Sequence, residues 1–209
     1  RSFPPGDPGE PGLPRPTGRM VQEGAEMMFP SKPWRTLDVT MDQTDNDGAH
    51  YIFGGNNADS PFAWTVGTHN AFVKLQFRIA DVSGTDDCAF GFAKVQTATA
   101  NLDDHTDGAF INSILGDIKI ETMLNNAATV TVDTTQDWAD LATHTFEVQV
   151  AQDRTTRFFV DGAFPTVTKG FLWDVGDVVI PIHFFLQATT TPGICEWLEF
   201  ESGYLPKRR

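Results

Sequence analysis

Apolar and polar residues alternate along most of the chain from about residue 36 onward. In "FVKLQFRIADV" (residues 72–82) the apolar side chains Val73 to Ile79 fall at every second position, with Lys, Gln and Arg between them. This period of two predicts a strand with one buried and one solvated face. The turn "SGTDD" and the segment "CAFGFAKV" (88–95) follow, and together they predict a first hairpin.

Two further hairpins are predicted by the same pattern. "DIKIETML" (117–124) returns through "NNAA" as "TVTVD" (129–133), and "HTFEVQVA" (144–151) returns as "TRFFVDG" (156–162) with an Asp-Gly turn. Long helical periods are absent from the sequence. Many strands separated by short turns predict an antiparallel sandwich or barrel.

The segment "VVIPIHFFLQA" (178–188) has no alternation, so we expect a strand with apolar neighbours on both faces. Pro181 cannot donate to a strand ladder, and it predicts an edge, a bulge or a kink. His183 is interpreted as a hydrogen-bonded core residue and not as a ligand, because no acidic residue or second histidine stands at a suitable spacing.

The closing segment "GICEWLEFESGYL" (193–205) alternates again and is predicted to pair into the same sandwich. Its apolar residues Ile194, Leu198 and Phe200 are expected on one face. Trp197, Glu199 and Glu201 are expected on the other.

The N-terminal stretch has a different composition. "PPGDPGEPGLPRPTG" (4–18) carries glycine at 6, 9 and 12, which is the Gly-X-Y period of collagen for about three triplets. We predict an extended Pro/Gly-rich arm over residues 1–33 and a β-sandwich domain over 34–209; the stub of a trimeric stalk is the alternative for the arm. No signal peptide is visible, and the polar start indicates a processed or truncated chain.

The composition favours a single globular core. Of the 209 residues, 40% are hydrophobic and 17 are Phe, while the formal net charge is -13. This charge disfavours nucleic-acid binding, and the basic run 207–209 is interpreted as a solvated tail. No apolar run reaches the length of about 20 residues that a membrane-spanning helix needs.

Candidate ligands for metals are few. Cys88 and Cys195 have no metal-ligand spacing, and both free buried thiols and a disulfide stay open. The acid-rich loops 42–48 and 101–108 offer hard oxygen donors, but polar turns of this composition are common without an ion. We expect no metal and no cofactor.

The order of the last segments resembles a known fold family. "HTFEVQVAQDRTTRFFVDGAFP", followed by "VVIPIHFFLQATTTPGICEWLEFESGYL", is similar to the C-terminal half of concanavalin A-like (laminin-G/lectin/glucanase) jelly-roll sandwiches. The resemblance implies an all-β, antiparallel two-sheet jelly-roll sandwich. The Phe-rich strand and the closing "GYL" also resemble such domains in structural proteins of tailed phages.

Glucanases of this family carry their catalytic carboxylates close together on one strand face. No such run is present; the nearest pair, Glu199 and Glu201, lies in the last strand and is interpreted as a solvated face. We therefore expect no enzymatic activity. Exposed aromatic residues could still bind a sugar, and Trp64, Trp138 and Trp173 near turn signals are the candidates.

These patterns lead to a functional hypothesis. The resemblance and the Gly-X-Y arm predict a non-enzymatic structural protein on the surface of a phage or virus particle, as a capsid decoration or outer virion protein. Its expected partners are other virion or capsid subunits, with the arm on a neighbouring subunit of a homo-oligomer such as a trimer. The alternative is a carbohydrate-binding, lectin-like module that contacts a glycan, including use as a host-surface adhesin. A glycoside hydrolase is the third and least favoured hypothesis.

Overall fold

The chain forms a sandwich of two antiparallel sheets, as seen in a computed structural model. The structure describes the backbone of residues 18–23, 27–32 and 36–40, and whole residues over 48–188 and 194–205. Within these residues the strands are β1 (Gly18–Glu23), β2 (Met27–Lys32), β3 (Thr36–Thr40), β4 (Gly48–Phe53), β5 (Trp64–Thr65), β6 (Ala71–Ile79), β7 (Thr85–Lys94), β8 (Gly108–Ile114), β9 (Asp117–Met123), β10 (Val130–Asp137), β11 (Thr143–Val150), β12 (Thr155–Val160), β13 (Phe171–Leu172), β14 (Val178–Gln187) and β15 (Ile194–Tyr204).

The two sheets have a clear order. Sheet A runs β1-β4-β14-β7-β8-β9-β10, with β5 beside the start of β14, and sheet B runs β13-β12-β11-β6-β15-β3-β2. Helical structure in the described residues is limited to the 3₁₀ turns Val82–Gly84 and Leu102–Asp104, so no helix there could cross a membrane. The predicted all-β, two-sheet sandwich is confirmed.

The main core lies between the sheets and is rich in phenylalanine. Sheet A contributes Phe90 and Phe185, sheet B contributes Phe77 and Phe146, and all four side chains are fully buried. Phe77 and Phe146 meet edge to face with their ring centres 5.0 Å apart. Because burial of one such side chain stabilises a fold by roughly 1.5–3 kcal/mol, this interior is what holds the two sheets together.

Strand β14 is buried on both faces, as predicted from its unbroken apolar run. Phe185 points into the main core, whereas Phe184 and Ile182 point to the opposite side of sheet A. Pro181 lies where the neighbour of β14 changes from β5, which pairs with 178–179, to β4, which pairs with 182–186. Its missing N–H therefore falls at a local edge of the ladder.

Two of the three predicted hairpins are confirmed, namely β9–β10 and β11–β12. The second of these is followed by Asp161 and Gly162, both with positive φ, as the predicted Asp-Gly turn requires. The hairpin predicted from β6 to β7 is wrong, because β6 lies in sheet B and β7 in sheet A. The 3₁₀ turn Val82–Gly84 carries the chain across the sandwich, and local alternation cannot reveal such a crossing.

Strand β15 pairs into sheet B as predicted, but its predicted faces are wrong. Cys195 and Trp197 are buried in the main core. A bulge between Trp197 and Glu199 then shifts the register, so that Phe200 also packs against the core. One extra residue reverses the alternation, and this is why the pattern assigned Trp197 to the solvated face.

Two strands of the sandwich come from the predicted arm. The backbone of β1 pairs with β4 at the edge of sheet A, and that of β2 pairs with β3 at the edge of sheet B. The boundary between residues 33 and 34 stays a prediction. The Gly-X-Y triplets, the loop positions 42–47 and the basic run 207–209 lie outside the described residues.

The close approach of β7 and β8 at Gly91 gives the first testable prediction. A Cβ at this position would lie 2.2 Å from the carbonyl oxygen of Ala109 and 2.9 Å from the Cα of Phe110. We expect Gly91→Ala to lower the free energy of unfolding by about 1–3 kcal/mol, because backbone atoms would have to move. Chemical denaturation measures this.

Gly170→Ala is the matched control. A Cβ added at Gly170 would meet no atom within 4 Å, and we expect a change within about 0.5 kcal/mol. Equal stabilities of the two variants would contradict the close approach.

Candidate functional site

The outer face of sheet A, turned away from sheet B, carries a second apolar cluster. Leu102 and the partly buried Val95 and Ala98 from the loop 95–107 pack against it. We call it the outer cluster; its members are Ile52, Ala89, Ala93, Leu102, Phe110, Met123, Ile180, Ile182, Phe184 and Leu186. Part of the outer face is therefore covered by a loop.

Two buried histidines lie beneath this covering layer. The ring centres of His50 and His105 are 5.2 Å apart, and the backbone N–H of Thr99 donates to Nδ1 of His50 at 3.4 Å. Burial lowers the pKa of His50 to about 4 and that of His105 to about 3. Both rings are therefore neutral at pH 7 and pack as core residues.

Beside the outer cluster lies a group of polar side chains, which we call the carboxylate cluster: Asp87, Asn112 and Glu121. Their cross-strand partners show that they share the outer face. Asp87 on β7 is opposite Leu186, Asn112 on β8 is opposite Ala89, and Glu121 on β9 is opposite Phe110. Each of these partners is a member of the outer cluster.

Asn112 joins the two acids. Its Nδ2 donates to Oδ1 of Asp87 at 2.5 Å and to Oε2 of Glu121 at 2.7 Å. Its Oδ1 accepts from the backbone N–H of Cys88 at 2.9 Å. Because only the carbonyl end of an amide can accept that backbone hydrogen, the two N–H groups must point at the carboxylates. Asn112 is fully buried, so this orientation is fixed.

The surroundings make both acids harder to ionise. Burial raises the pKa of Asp87 to about 7, although the hydrogen bond from Asn112 acts in the opposite direction. The charges of Glu121, Asp86 and Asp103 raise it as well. Burial also raises the pKa of Glu121. A carboxyl group that exchanges its proton near neutral pH can serve as an acid or a base.

The sequence prediction missed this pair because it looked for two acids on one strand. Asp87 and Glu121 lie on different strands with β8 between them. The pair that the sequence offered instead, Glu199 and Glu201, lies in sheet B, where Lys74 Nζ is 3.2 Å from Glu201. No signal in the local pattern marks Asp87 and Glu121, since their meeting depends on the strand order.

The possible metal ligands of the acidic loop 101–108 do not converge on a common position for an ion. His105 is buried against the outer face, and Thr129 donates to Asp103 at 2.6 Å. Asp107 approaches Asp174 and Asp177, with one carboxylate oxygen of each within 4.8 Å of the others. Lys94 Nζ lies 3.3 Å from Asp107 and 2.7 Å from Asp177, so an ammonium group already neutralises this group of acids.

The three tryptophans proposed as sugar platforms are buried. Trp64 is 7% exposed, Trp138 2% and Trp173 0%. The indole N–H of Trp138 donates to the Ala142 carbonyl at 3.0 Å, and that of Trp173 donates to Thr156 Oγ1 at 2.9 Å. They lie in the main core, and their burial removes the exposed ring faces that the prediction required.

His183 is buried in the main core, but it has polar neighbours that the sequence did not indicate. Its Nε2 lies 3.5 Å from Sγ of Cys88 and 3.8 Å from Sγ of Cys195. Both cysteines are free thiols, with their sulfur atoms 4.0 Å apart. Residues 88, 183 and 195 meet because β7 and β14 are neighbours in sheet A, while β15 faces them from sheet B.

Comparison with known proteins gives a match in structure only. No protein-family model matches the chain, and no curated protein matches its sequence. The PL7 alginate lyase AlyA1 from Zobellia galactanivorans matches with a TM-score of 0.54 at 8% identity, over 81% of this chain and 78% of that one.

Two further solved structures share the fold. The alginate lyase from Corynebacterium sp. has a TM-score of 0.56 at 7% identity, over 85% of this chain and 83% of that one. The Emp46p carbohydrate recognition domain has a TM-score of 0.56 at 9% identity, over 88% and 87%. These matches agree with the concanavalin A-like jelly roll that the sequence resemblance implied.

The expectation that the chain has no enzymatic activity is contradicted by these neighbours. Two of the three are enzymes with the same sandwich. That expectation rested on the lack of two acids on one strand, whereas the fold brings acids together across strands. Identities of 7 to 9% show the fold and not the activity.

The raised pKa of Asp87 predicts a dependence of stability on pH. A carboxyl group whose pKa is higher in the folded than in the unfolded state stabilises the fold below about pH 4. That contribution is lost as the pH rises through about 7. We therefore expect the stability of wild type, measured relative to Asp87→Asn, to fall between pH 4 and pH 8 by urea denaturation.

Asp59→Asn removes the same charge from an exposed loop and shows the effect of net charge alone. The raised pKa of Asp87 would be contradicted if the difference in unfolding free energy between wild type and Asp87→Asn stayed constant from pH 4 to pH 8.

Proposed function

We propose that the outer face of sheet A binds a neutral glycan and that Asp87 and Glu121 hydrolyse its glycosidic bond. Asp87 is half-buried and Glu121 is 5% exposed, so the glycan would contact Asp87 first, and the Glu121 side chain must become accessible when the glycan binds. One observation carries the proposal: two carboxyl groups with raised pKa values are joined through a single buried amide. The fold supports it, since structures with this fold include alginate lyases and a carbohydrate recognition domain.

The hydrogen bonds suggest a role for each acid. Glu121 accepts from Asn112 and also from Thr131 Oγ1 at 2.8 Å, and such bonds favour the ionised form. Asp87 has a pKa of about 7 and therefore still holds a proton in a large fraction of molecules at neutral pH.

The two carboxylate oxygens bonded to Asn112 Nδ2 are no more than about 5.2 Å apart, which is the spacing of a double displacement. In the proposed reaction, Asp87 protonates the leaving glycosidic oxygen while Glu121 attacks the anomeric carbon, so the glycosidic C–O bond breaks and a glycosyl ester of Glu121 forms. Asp87 then takes a proton from water, whose oxygen adds to the anomeric carbon and releases Glu121.

The local charge selects the substrate class. The negative charges of Asp86, Asp103 and Glu121 raise the pKa of Asp87, and that of Asp103 raises the pKa of Glu121. Lys119 is the cation whose charge acts on Glu121. The chain as a whole has a net charge of -13. A polyanion such as alginate would be repelled by this surface, so the site favours an uncharged polysaccharide.

Hydrolysis is tested by the release of reducing ends from a panel of neutral β-glucans, with alginate included. We expect Asp87→Asn and Glu121→Gln each to lower kcat/KM by about 10²-fold or more. Wild-type activity should fall as the pH rises above about 7, because the general acid then loses its proton.

Glu199→Gln, a carboxylate of sheet B, is the matched control and should leave the rate unchanged. The proposal would be contradicted if the wild-type protein cleaved none of the neutral glycans. Cleavage of alginate in preference to the neutral polymers would reject the substrate class.

We also propose, from the sequence, that the sandwich is displayed on a virus particle and that the segment before β1 joins it to neighbouring copies. The Gly-X-Y triplets at 6–12 favour this role: three triplets are too few to form a stable triple helix alone, but three such chains can wind together where other contacts hold neighbouring copies in place. β1, the strand that follows the triplets, lies at the edge of sheet A.

Removal of residues 1–17 tests this second proposal, because it spares β1 and β2. We expect the full chain to be a trimer by light scattering and the shortened chain to be a monomer with an unchanged circular dichroism spectrum. Gly9→Ala, which interrupts the triplets at one glycine, should weaken the trimer in the same direction. A full-length monomer at all concentrations would contradict the proposal.

A further inference from the structure

Three side chains able to ligate a metal meet in the main core, on the opposite side of sheet A from the carboxylate cluster. They are Cys88, His183 and Cys195, with 0%, 1% and 0% exposure. Their three ligand atoms are separated by 3.5, 3.8 and 4.0 Å. Together they form a nearly regular triangle of two sulfurs and one nitrogen.

The size of this triangle matches one face of a zinc tetrahedron. Zinc binds sulfur at about 2.3 Å and imidazole nitrogen at about 2.0–2.1 Å, so tetrahedral angles give S···S of about 3.8 Å and S···N of about 3.5 Å. The distances between the three atoms differ from these values by no more than about 0.3 Å. A disulfide would need the sulfurs at about 2.05 Å, and they are 4.0 Å apart.

Two further polar side chains of the main core belong to the surroundings of the triangle. Ser113 is opposite Cys88 in the β7–β8 pairing, so both side chains point into the main core, and its buried Oγ has no hydrogen-bond partner among the described residues. The ring of Trp197 lies 5.1 Å from that of His183, and its indole N–H interacts with the sulfur of Cys195. An unpaired buried hydroxyl is rare because it is costly, and that of Ser113 points to a bound species.

We propose that Cys88, His183 and Cys195 bind a zinc ion in the interior of the sandwich. Ser113 Oγ, directly or through a water molecule, supplies the oxygen at the fourth corner. The N–H of Trp197 donates to a thiolate or to that water, which stabilises negative charge beside the metal.

The charge of the set selects a divalent ion. Two thiolates and one neutral imidazole carry two negative charges, which Zn²⁺ cancels, so no net charge stays in the apolar core. A monovalent soft ion such as Cu(I) would leave one uncompensated negative charge among Phe77, Trp197 and their neighbours. Thiolate and imidazole together also disfavour Mg²⁺ and Ca²⁺, which prefer oxygen ligands.

The position of the site gives it a structural role. Cys88 and His183 belong to sheet A, whereas Cys195 belongs to sheet B, so a bound ion would tie the two sheets together through the core. Because the three ligands are closed off from solvent, the ion must enter as the chain folds. Metal binding and folding are therefore coupled.

The experiment uses the full chain, unfolded under reducing conditions, refolded with excess ZnCl₂ and then dialysed against metal-free buffer. We expect about one zinc per chain by mass spectrometry in wild type. Cys88→Ala and Cys195→Ala should each retain less than about a tenth of that amount, because two protein ligands cannot hold the ion through dialysis. His69→Ala, which changes an exposed histidine, is the matched control and should retain the full amount.

A second measurement on wild type alone, with Co²⁺ in place of Zn²⁺, tests the site even if the cysteine variants fail to fold. Wild type refolded with Co²⁺ should show the thiolate-to-cobalt absorption of a tetrahedral site. The proposal is overturned if refolded wild type retains no metal while both thiols react with a thiol reagent in denaturant. A disulfide between Cys88 and Cys195 in the reduced and refolded chain would overturn it too.

Discussion

Burial of β14 on both faces is the constraint on which the rest of the structure depends. Its inward side chains, such as Phe185 and His183, complete the main core, while Phe184 and Leu186 on the other face anchor the outer cluster. In a sandwich of two sheets, the outer face of each sheet is normally solvated. Here the outer face of β14 is apolar, so a loop must cover it. The loop 95–107 does so, and it brings Leu102 and His105 onto the outer face.

This covering layer explains the unusual acids. Asp87 and Glu121 lie at the margin of the outer cluster, where apolar neighbours exclude water but the neighbouring Asp86 and Asp103 add negative charge. Loss of hydration and like-charge repulsion both disfavour ionised carboxylates. A single buried asparagine satisfies the two acids, because its amide carries two hydrogens and its carbonyl is held by the backbone of β7. The geometry thus arises from packing and does not require a sequence motif.

Both side-chain groups depend on the position of β7 in sheet A. β7 carries Asp87 on its outer side and Cys88 on its inner side, so two adjacent residues belong to two different groups: the carboxylate cluster and the triangle of Cys88, His183 and Cys195. The Cys88 backbone N–H bonds to Asn112 while the Cys88 sulfur approaches His183, which links the two groups through one peptide unit. A change in the register of β7 by one residue would exchange these faces and destroy both arrangements.

The sequence by itself determined eight of the fifteen strands, two hairpins and the all-β sandwich, because alternation of side chains is a local property of extended chains. It also identified β14 as a doubly buried strand and His183 as a core residue. It could not reveal that β6 and β7 lie in different sheets, that a bulge turns Trp197 inward, or that Asp87 meets Glu121 and Cys88 meets Cys195. These facts depend on which strands become neighbours, and that choice is made by the burial of phenylalanines distant in sequence. Only the tertiary structure decided them.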